Sequence, residues 1–116
     1  MAHTRIRTFN TSDTYPEQNL DDAVNLDSHD PVAQTHKVMQ NIRQLIEEVG
    51  GEMAHLVKVV VYITDVRHRE AVYRTMGEYI KGVHPVSTGL VVQALARPEW
   101  LVEIDGTAVI PAGYSK

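Results

Sequence analysis

The sequence predicts an α+β fold, a mixed β-sheet with two helices packed on one face. Three observations carry this reading. A helical apolar stripe with a clear start and stop lies in the first half of the chain. A nearly continuous β-branched run follows it and leads into a second helical pattern. Two further strand patterns close the chain. The resulting order of strand, loop, helix, strand, helix, strand, strand implies a βαβ unit followed by an antiparallel hairpin.

Each element has a local cause. Residues 4–9 read Thr-Arg-Ile-Arg-Thr-Phe, an alternating edge strand that sets Arg5 and Arg7 on one face. Residues 10–30 are polar and acidic and read as loop, with one short strand at 23–26. Asp30 is a helix N-cap, and Pro31 suits the first helical position because its missing N–H would be unpaired there anyway. Val38, Ile42, Leu45 and Val49 recur at helical spacing, widened by Met39 and Ile46, until Gly50-Gly51 ends the helix. Residues 56–63, Leu-Val-Lys-Val-Val-Val-Tyr-Ile, form a central strand. After a turn at Asp65, residues 69–81 form a second helix with Val72, Tyr73, Met76, Tyr79 and Ile80 on its apolar face. Gly82 ends it and Pro85 keeps it from resuming. The last two strands are expected at 88–95 and 101–110, with Val102, Ile104, Gly106, Ala108 and Ile110 sharing a face. The uncovered sheet face then calls for a cover, and in a chain this small another subunit is the expected one.

The chain has 116 residues and fits one domain spanning 1–116. A net charge of −4 argues against a bulk electrostatic grip on nucleic acid. The absence of cysteine excludes disulfides, thiolate nucleophiles and Cys-ligated zinc. The longest strongly apolar run, 59–63, is far too short for a membrane span, and residues 1–10 lack the apolar core of a secretory signal. A cytoplasmic location is expected.

Several phrases together resemble the RidA/YjgF family of reactive-intermediate deaminases. They are Asp-Pro-Val-Ala-Gln-Thr at 30–35, Leu-Val-Lys-Val-Val-Val-Tyr-Ile-Thr-Asp at 56–65, His84-Pro85 before a strand, and Val-Glu-Ile-Asp-Gly-Thr-Ala at 102–108. None is diagnostic alone; in this order and spacing they cover about 80 residues of a single family-like domain. Residues 9–19 and 89–104 resemble one outlying branch of that family. The resemblance implies a chorismate-mutase-like fold and a homotrimer whose sheets form a central barrel, with ligand clefts at the subunit boundaries. Two departures stand out. The active deaminases carry a substrate-binding arginine two residues after the proline that precedes the penultimate strand, and the matching residue here is Ser87. Serine cannot form the bidentate charged pair that fixes a carboxylate. The family also places a β-hairpin with a Gly-Gln pair before the first helix, for which residues 20–30 are too short. By the same resemblance, the family's neighbouring cysteine matches Gly89, its second-helix asparagine falls near Tyr73, and its water-positioning glutamate matches Glu103.

Glu103 is accordingly the candidate catalytic residue. Glu103 and Asp105 lie two apart on one strand and so share a face. A water-positioning carboxylate and a solvated or ion-paired strand face are both consistent with that pattern. Ser87 and Thr88 are candidate substrate-contacting hydroxyls, equally readable as strand-start residues. They show no nucleophile elbow and no triad spacing. Arg97 is a candidate carboxylate clamp from a different loop, or else an exposed loop arginine. Tyr15 and Tyr73 are candidate cleft-lining residues, though Tyr73 also fits the core stripe. Trp100 suits a buried anchor or a subunit contact. The six histidines have no metal-ligand spacing, so no metal is expected, and no cofactor is required. Arg67-His68-Arg69 reads as solvated surface.

Two functions stay open at this level. One is hydrolysis of an enamine or imine in inter-subunit clefts. The other is binding of a small metabolite without turnover. A nucleic-acid role, suggested by older family names that refer to ribonuclease activity and translation inhibition, fits the acidic balance poorly. The expected partners are a small-molecule ligand and further copies of the chain, not a membrane.

Overall fold

The computed structural model describes residues 2–7 and 30–115. Six elements follow in chain order: β1 (Ala2–Arg7), α1 (Pro31–Glu48), β2 (Leu56–Ile63), α2 (Arg69–Tyr79), β3 (Val86–Val91) and β4 (Val102–Ile110). Short 3-10 turns precede β2 and α2, at Met53–His55 and Val66–His68. The expected strand at 23–26 lies outside the described residues.

The strands form one sheet in the order β1-β4-β2-β3. β2 and β3 run parallel across the α2 crossover, as the βαβ pattern predicts. The closing hairpin does not form. β4 pairs antiparallel with β2 on one side and with β1 on the other, and it never touches β3. The reason lies in the connection 92–101, which carries the chain across the end of β2. Val92 N–H donates to the Ile63 carbonyl, and Thr64 N–H donates to the Leu101 carbonyl. β3 is also placed earlier than expected, at 86–91 instead of 88–95, so it begins directly after Pro85. β1 similarly begins two residues earlier than the alternation suggested, and α2 stops at Tyr79, short of Lys81.

α1 begins where expected. The Asp30 carboxylate accepts from Val32 N–H at 2.9 Å, satisfying one of the free donors of the first turn. At the other end Gly50 takes φ +86°, and its N–H donates to the Glu47 carbonyl. Gly51 is needed for a different reason. A Cβ there would press on Ile110 and Ile46, so α1 can return to the sheet only through a residue without a side chain. Val49, placed on the apolar stripe by spacing, is half exposed because it sits at the frayed end of the helix.

Both helices cover the same sheet face. Val38, Met39, Ile42 and Ile46 of α1 and Val72 and Met76 of α2 pack with Val59, Val61 and Ile63 of β2 and Val102, Ile104 and Ala108 of β4. β4 alternates without a break between buried and half-buried residues, with the five expected positions facing inward. Gln34 ties the crossing loop to α1: its amide donates to the Glu99 carbonyl at 2.9 Å and accepts from Leu101 N–H at 2.8 Å. Trp100 is buried beside this tie.

β3 differs from the other strands of the sheet core. All six of its residues are exposed, including Val86, Leu90 and Val91. Among the described residues it is an edge strand of the sheet, with an apolar surface, the kind of edge that further chain covers.

Candidate functional site

β3 pairs with β2 so that Ser87 lies beside Val59, Gly89 beside Val61 and Val91 beside Ile63. Neighbours across a ladder share a face. Val59, Val61 and Ile63 are buried under the helices, so Ser87, Gly89 and Val91 belong to the helix face at the sheet's edge. There α2 does not reach far enough to close over β3. The gap is a half-open cleft of about 170 Å³ lined by Val61, Ile63, Val66, Arg69, Tyr73, Gly89, Leu90 and Val91.

Tyr73 dominates this cleft. Its hydroxyl lies directly over Gly89, in the space that a side chain at 89 would fill, and even a Cβ would overlap it. The tyrosine and the glycine are thus a matched pair: the hydroxyl occupies the place in which the resemblance puts the family's cysteine. Arg69, the first residue of α2, places its guanidinium carbon over the Tyr73 ring, 4.7 Å from the centroid. The sequence placed Arg69 in a solvated basic cluster. Arg69 is exposed as expected and also lines the cleft, a placement that depends on how α2 sits over β3 and leaves no trace in local spacing.

Of the other candidates, Ser87 lies two residues from Gly89 on the same face but does not line the cleft. Thr88 projects to the opposite face, beside Val60. Glu103 is on that face too. It pairs with Tyr62 across β4 and β2, and it is half-buried. Tyr62 and then Leu90 follow on the same row, so Glu103 stands two strand spacings, roughly 10 Å, from β3. Tyr62 is the aromatic neighbour of Glu103 that the sequence reading did not single out; its outward position in the β2 alternation was the available signal. Within one subunit the sheet separates Glu103 from Tyr73.

Arg97 is held elsewhere. Its Nε donates to Glu99 at 2.7 Å, and its guanidinium lies 5.9 Å from the Trp100 ring centroid. The Arg97 cation holds the Glu99 carboxyl below its ordinary range. Tyr15 lies outside the described residues. His36 bonds the Tyr79 hydroxyl at 2.7 Å. Among the described residues no group of three or more histidines and carboxylates gathers as a metal site, and no helix is long and apolar enough to cross a membrane.

Asp65 follows β2 and caps the short 3-10 turn Val66–His68. Its carboxylate accepts from Arg67 N–H at 2.8 Å and from the Arg67 guanidinium at 2.6 Å. The guanidinium bond first, and the backbone bond second, lower its pKa from 3.8 to about 2. A carboxyl with a depressed folded-state pKa stabilises the fold above its unfolded pKa and loses that contribution as pH falls. Here the window runs from 3.8 down to about 2. A carboxyl-detected NMR titration should therefore place the Asp65 midpoint near the lower value, and Arg67→Ala should move it back toward the upper one. A wild-type midpoint near 3.8 would contradict the pairing.

Comparison with known proteins agrees with the geometry. Residues 5–110 match the family described as Endoribonuclease L-PSP. The chain is 34% identical over 80 residues to Protein DfrA of Myxococcus xanthus, covering 69% of this chain and 60% of that protein, so it spans less than two-thirds of this relative's length. The crystal structure of Rv2704, a YjgF/YER057c/UK114 family member from Mycobacterium tuberculosis, superposes with a TM-score of 0.68 at 28% identity, over 71% of this chain and 70% of that one. YyfA of Yersinia pestis, a protein of unknown function in the conserved Rid family, superposes with a TM-score of 0.72 at 25% identity, over 92% and 77%. With the family match running from β1 to the end of β4 and the same two-helix fold recurring in these relatives, the chain belongs to the YjgF/Rid family, the RidA/YjgF group that its sequence resembles.

Proposed function

We propose that this protein binds a small unsaturated nitrogen compound in clefts between subunits of a homotrimer and hydrolyses it as an enamine or imine deaminase. The half-open cleft beside an apolar edge strand that is exposed among the described residues is the observation that carries the reading. An exposed Val86-Leu90-Val91 edge calls for a neighbouring subunit. A neighbour seated there can bring its own Glu103 to the cleft, which one subunit alone cannot do.

The chemistry needs no cofactor. Glu103 accepts a proton from water as the water oxygen bonds to the imine carbon. The C=N π electrons move to nitrogen, which takes up the proton from Glu103. Glu103 then passes the hydroxyl proton of the resulting carbinolamine to nitrogen, and the C–N bond breaks, releasing ammonia as the carbonyl forms and leaving Glu103 ionised again. The Tyr73 hydroxyl and cleft backbone amides polarise the bound substrate. Ser87 and Thr88 belong to the strand on which the neighbour would sit, and Arg97 and Tyr15 remain candidates for its outer rim.

A second reading is binding without turnover, and Ser87 at the place of the family's arginine favours it. The two are separated by generating 2-imino acids with an amino-acid oxidase and following their capture by semicarbazide. Hydrolysis predicts that added protein lowers the trapped fraction. An unchanged trapped fraction across a panel of imino acids would contradict hydrolysis and leave metabolite binding. The net charge of −4 speaks against a nucleic-acid substrate.

A further inference from the structure

The cleft is lined by the apolar side chains of Val61, Ile63, Val66 and Val91. Its polar equipment is sparse: the Tyr73 hydroxyl and the Arg69 guanidinium. The neighbouring acids are committed to other cations. Asp65 pairs with Arg67 at 2.6 Å, and Glu70 pairs with Arg74 at 2.6 Å. Among the described residues no carboxylate pairs with Arg69, whose guanidinium lies over the Tyr73 ring. A guanidinium held over an aromatic ring spends none of its N–H donors on that contact, and those donors match the two oxygens of a carboxylate. The ring also holds the cation in place, which reduces the ordering that a ligand would otherwise have to impose. The Tyr73 hydroxyl has no hydrogen-bond partner among the described residues and is a second donor on the same wall.

We propose that Arg69, steadied by Tyr73, is the anion-binding group of this cleft, and that the cleft takes a small monocarboxylate with a flat apolar body. One guanidinium and one hydroxyl suit a single planar carboxylate. A phosphate dianion would leave oxygens facing the valine and isoleucine wall. The cation therefore comes from the start of α2 and not from β3, which accounts for how a chain with Ser87 at the strand position can still hold an acid. Gly89 is part of the device, because any larger residue would displace the Tyr73 hydroxyl on which Arg69 depends. The proposal deepens the functional reading above and rests on its cleft, but not on turnover.

The test is a binding measurement on the full chain. Isotope-labelled protein is titrated with benzoate and, separately, with benzamide, which has the same shape without the charge, and amide shifts are followed by NMR. Benzoate should shift the amides of Gly89, Leu90 and Val91 and bind more tightly than benzamide. Arg69→Gln should weaken benzoate by about tenfold or more, the scale of a lost charge-assisted hydrogen bond, and leave benzamide unchanged. Arg69→Lys should recover part of the loss, and Tyr73→Phe should weaken benzoate while keeping the aromatic platform. Equal affinities for benzoate and benzamide would overturn the proposal. So would wild-type benzoate affinity in Arg69→Gln, or shifts confined to another part of the protein. Because Arg69 is exposed, these variants should keep the wild-type spectrum away from the cleft; if Arg69→Gln does not, Arg69→Lys alone decides, and an affinity for benzoate no greater than for benzamide would overturn the proposal. A protein that hydrolyses imines yet shows no preference for benzoate would retain the deaminase reading and lose this one.

Discussion

Glu103→Gln should lower imine hydrolysis by roughly 100- to 10,000-fold, the range over which a positioned general base contributes. The glutamine keeps the length and the hydrogen-bonding shape of the side chain but cannot take a proton from water. Glu103 is half-buried on β4, paired with Tyr62 across the ladder, so its replacement leaves the helix-face core untouched. Binding of benzoate should survive, because its carboxylate is held by Arg69 and Tyr73 and not by the Glu103 that a neighbouring subunit brings to the cleft. Steady-state rates from the semicarbazide competition, set beside the NMR affinity, check both halves. A variant with an undiminished rate would remove Glu103 from the chemistry. A variant that has lost both rate and binding would make it a structural residue.

Ile42→Ala should cost about 2–5 kcal/mol of stability, the usual range for deleting a large side chain from a rigid core. Ile42 is fully buried at the middle of α1 and lies against the backbone of Gly106 on β4. Gly106 has no side chain to move into the gap, and the Leu56 side chain beside it can relax into part of it, so a loss within that range is expected. Total stabilities of small domains are about 5–15 kcal/mol, so the variant should show a markedly lower denaturant midpoint with an unchanged slope. A loss below about 1 kcal/mol would mean that α1 is seated less tightly than its burial indicates.

The parts of this fold that were legible in the sequence have local causes. Asp30-Pro31 starts α1, Gly50 stops it through a positive φ, and the β-branched run 56–63 becomes β2 residue for residue. The alternation in β4 likewise announced its buried face. What failed was pairing. Successive strands are neighbours in most sheets, which made a β3–β4 hairpin the natural expectation. The loop 92–101 overrides it by crossing the end of β2, held by hydrogen bonds donated by Val92, Thr64, Gln34 and Leu101 to residues 29 to 67 positions away. No local pattern encodes such a contact. The site divides in the same way. Tyr73 was visible as a candidate, and family resemblance pointed to Glu103. The fit of the Tyr73 hydroxyl over Gly89 and the turn of Arg69 toward it arise only once α2 is laid across β3.

The central claim is that each site is shared, with Glu103 from one subunit completing the cleft of the next. Co-expression of two defective chains tests it most directly. Glu103→Gln removes the base, and Gly89→Leu fills the cleft and displaces Tyr73. If sites are shared, mixed trimers contain boundaries that combine an intact cleft from the first chain with an intact Glu103 from the second. Random assembly makes these about a quarter of all boundaries. Imine hydrolysis should then return in the co-expressed protein although each variant alone is inactive. Co-assembled trimers as inactive as either parent would show that the groups act within one subunit and would contradict the account.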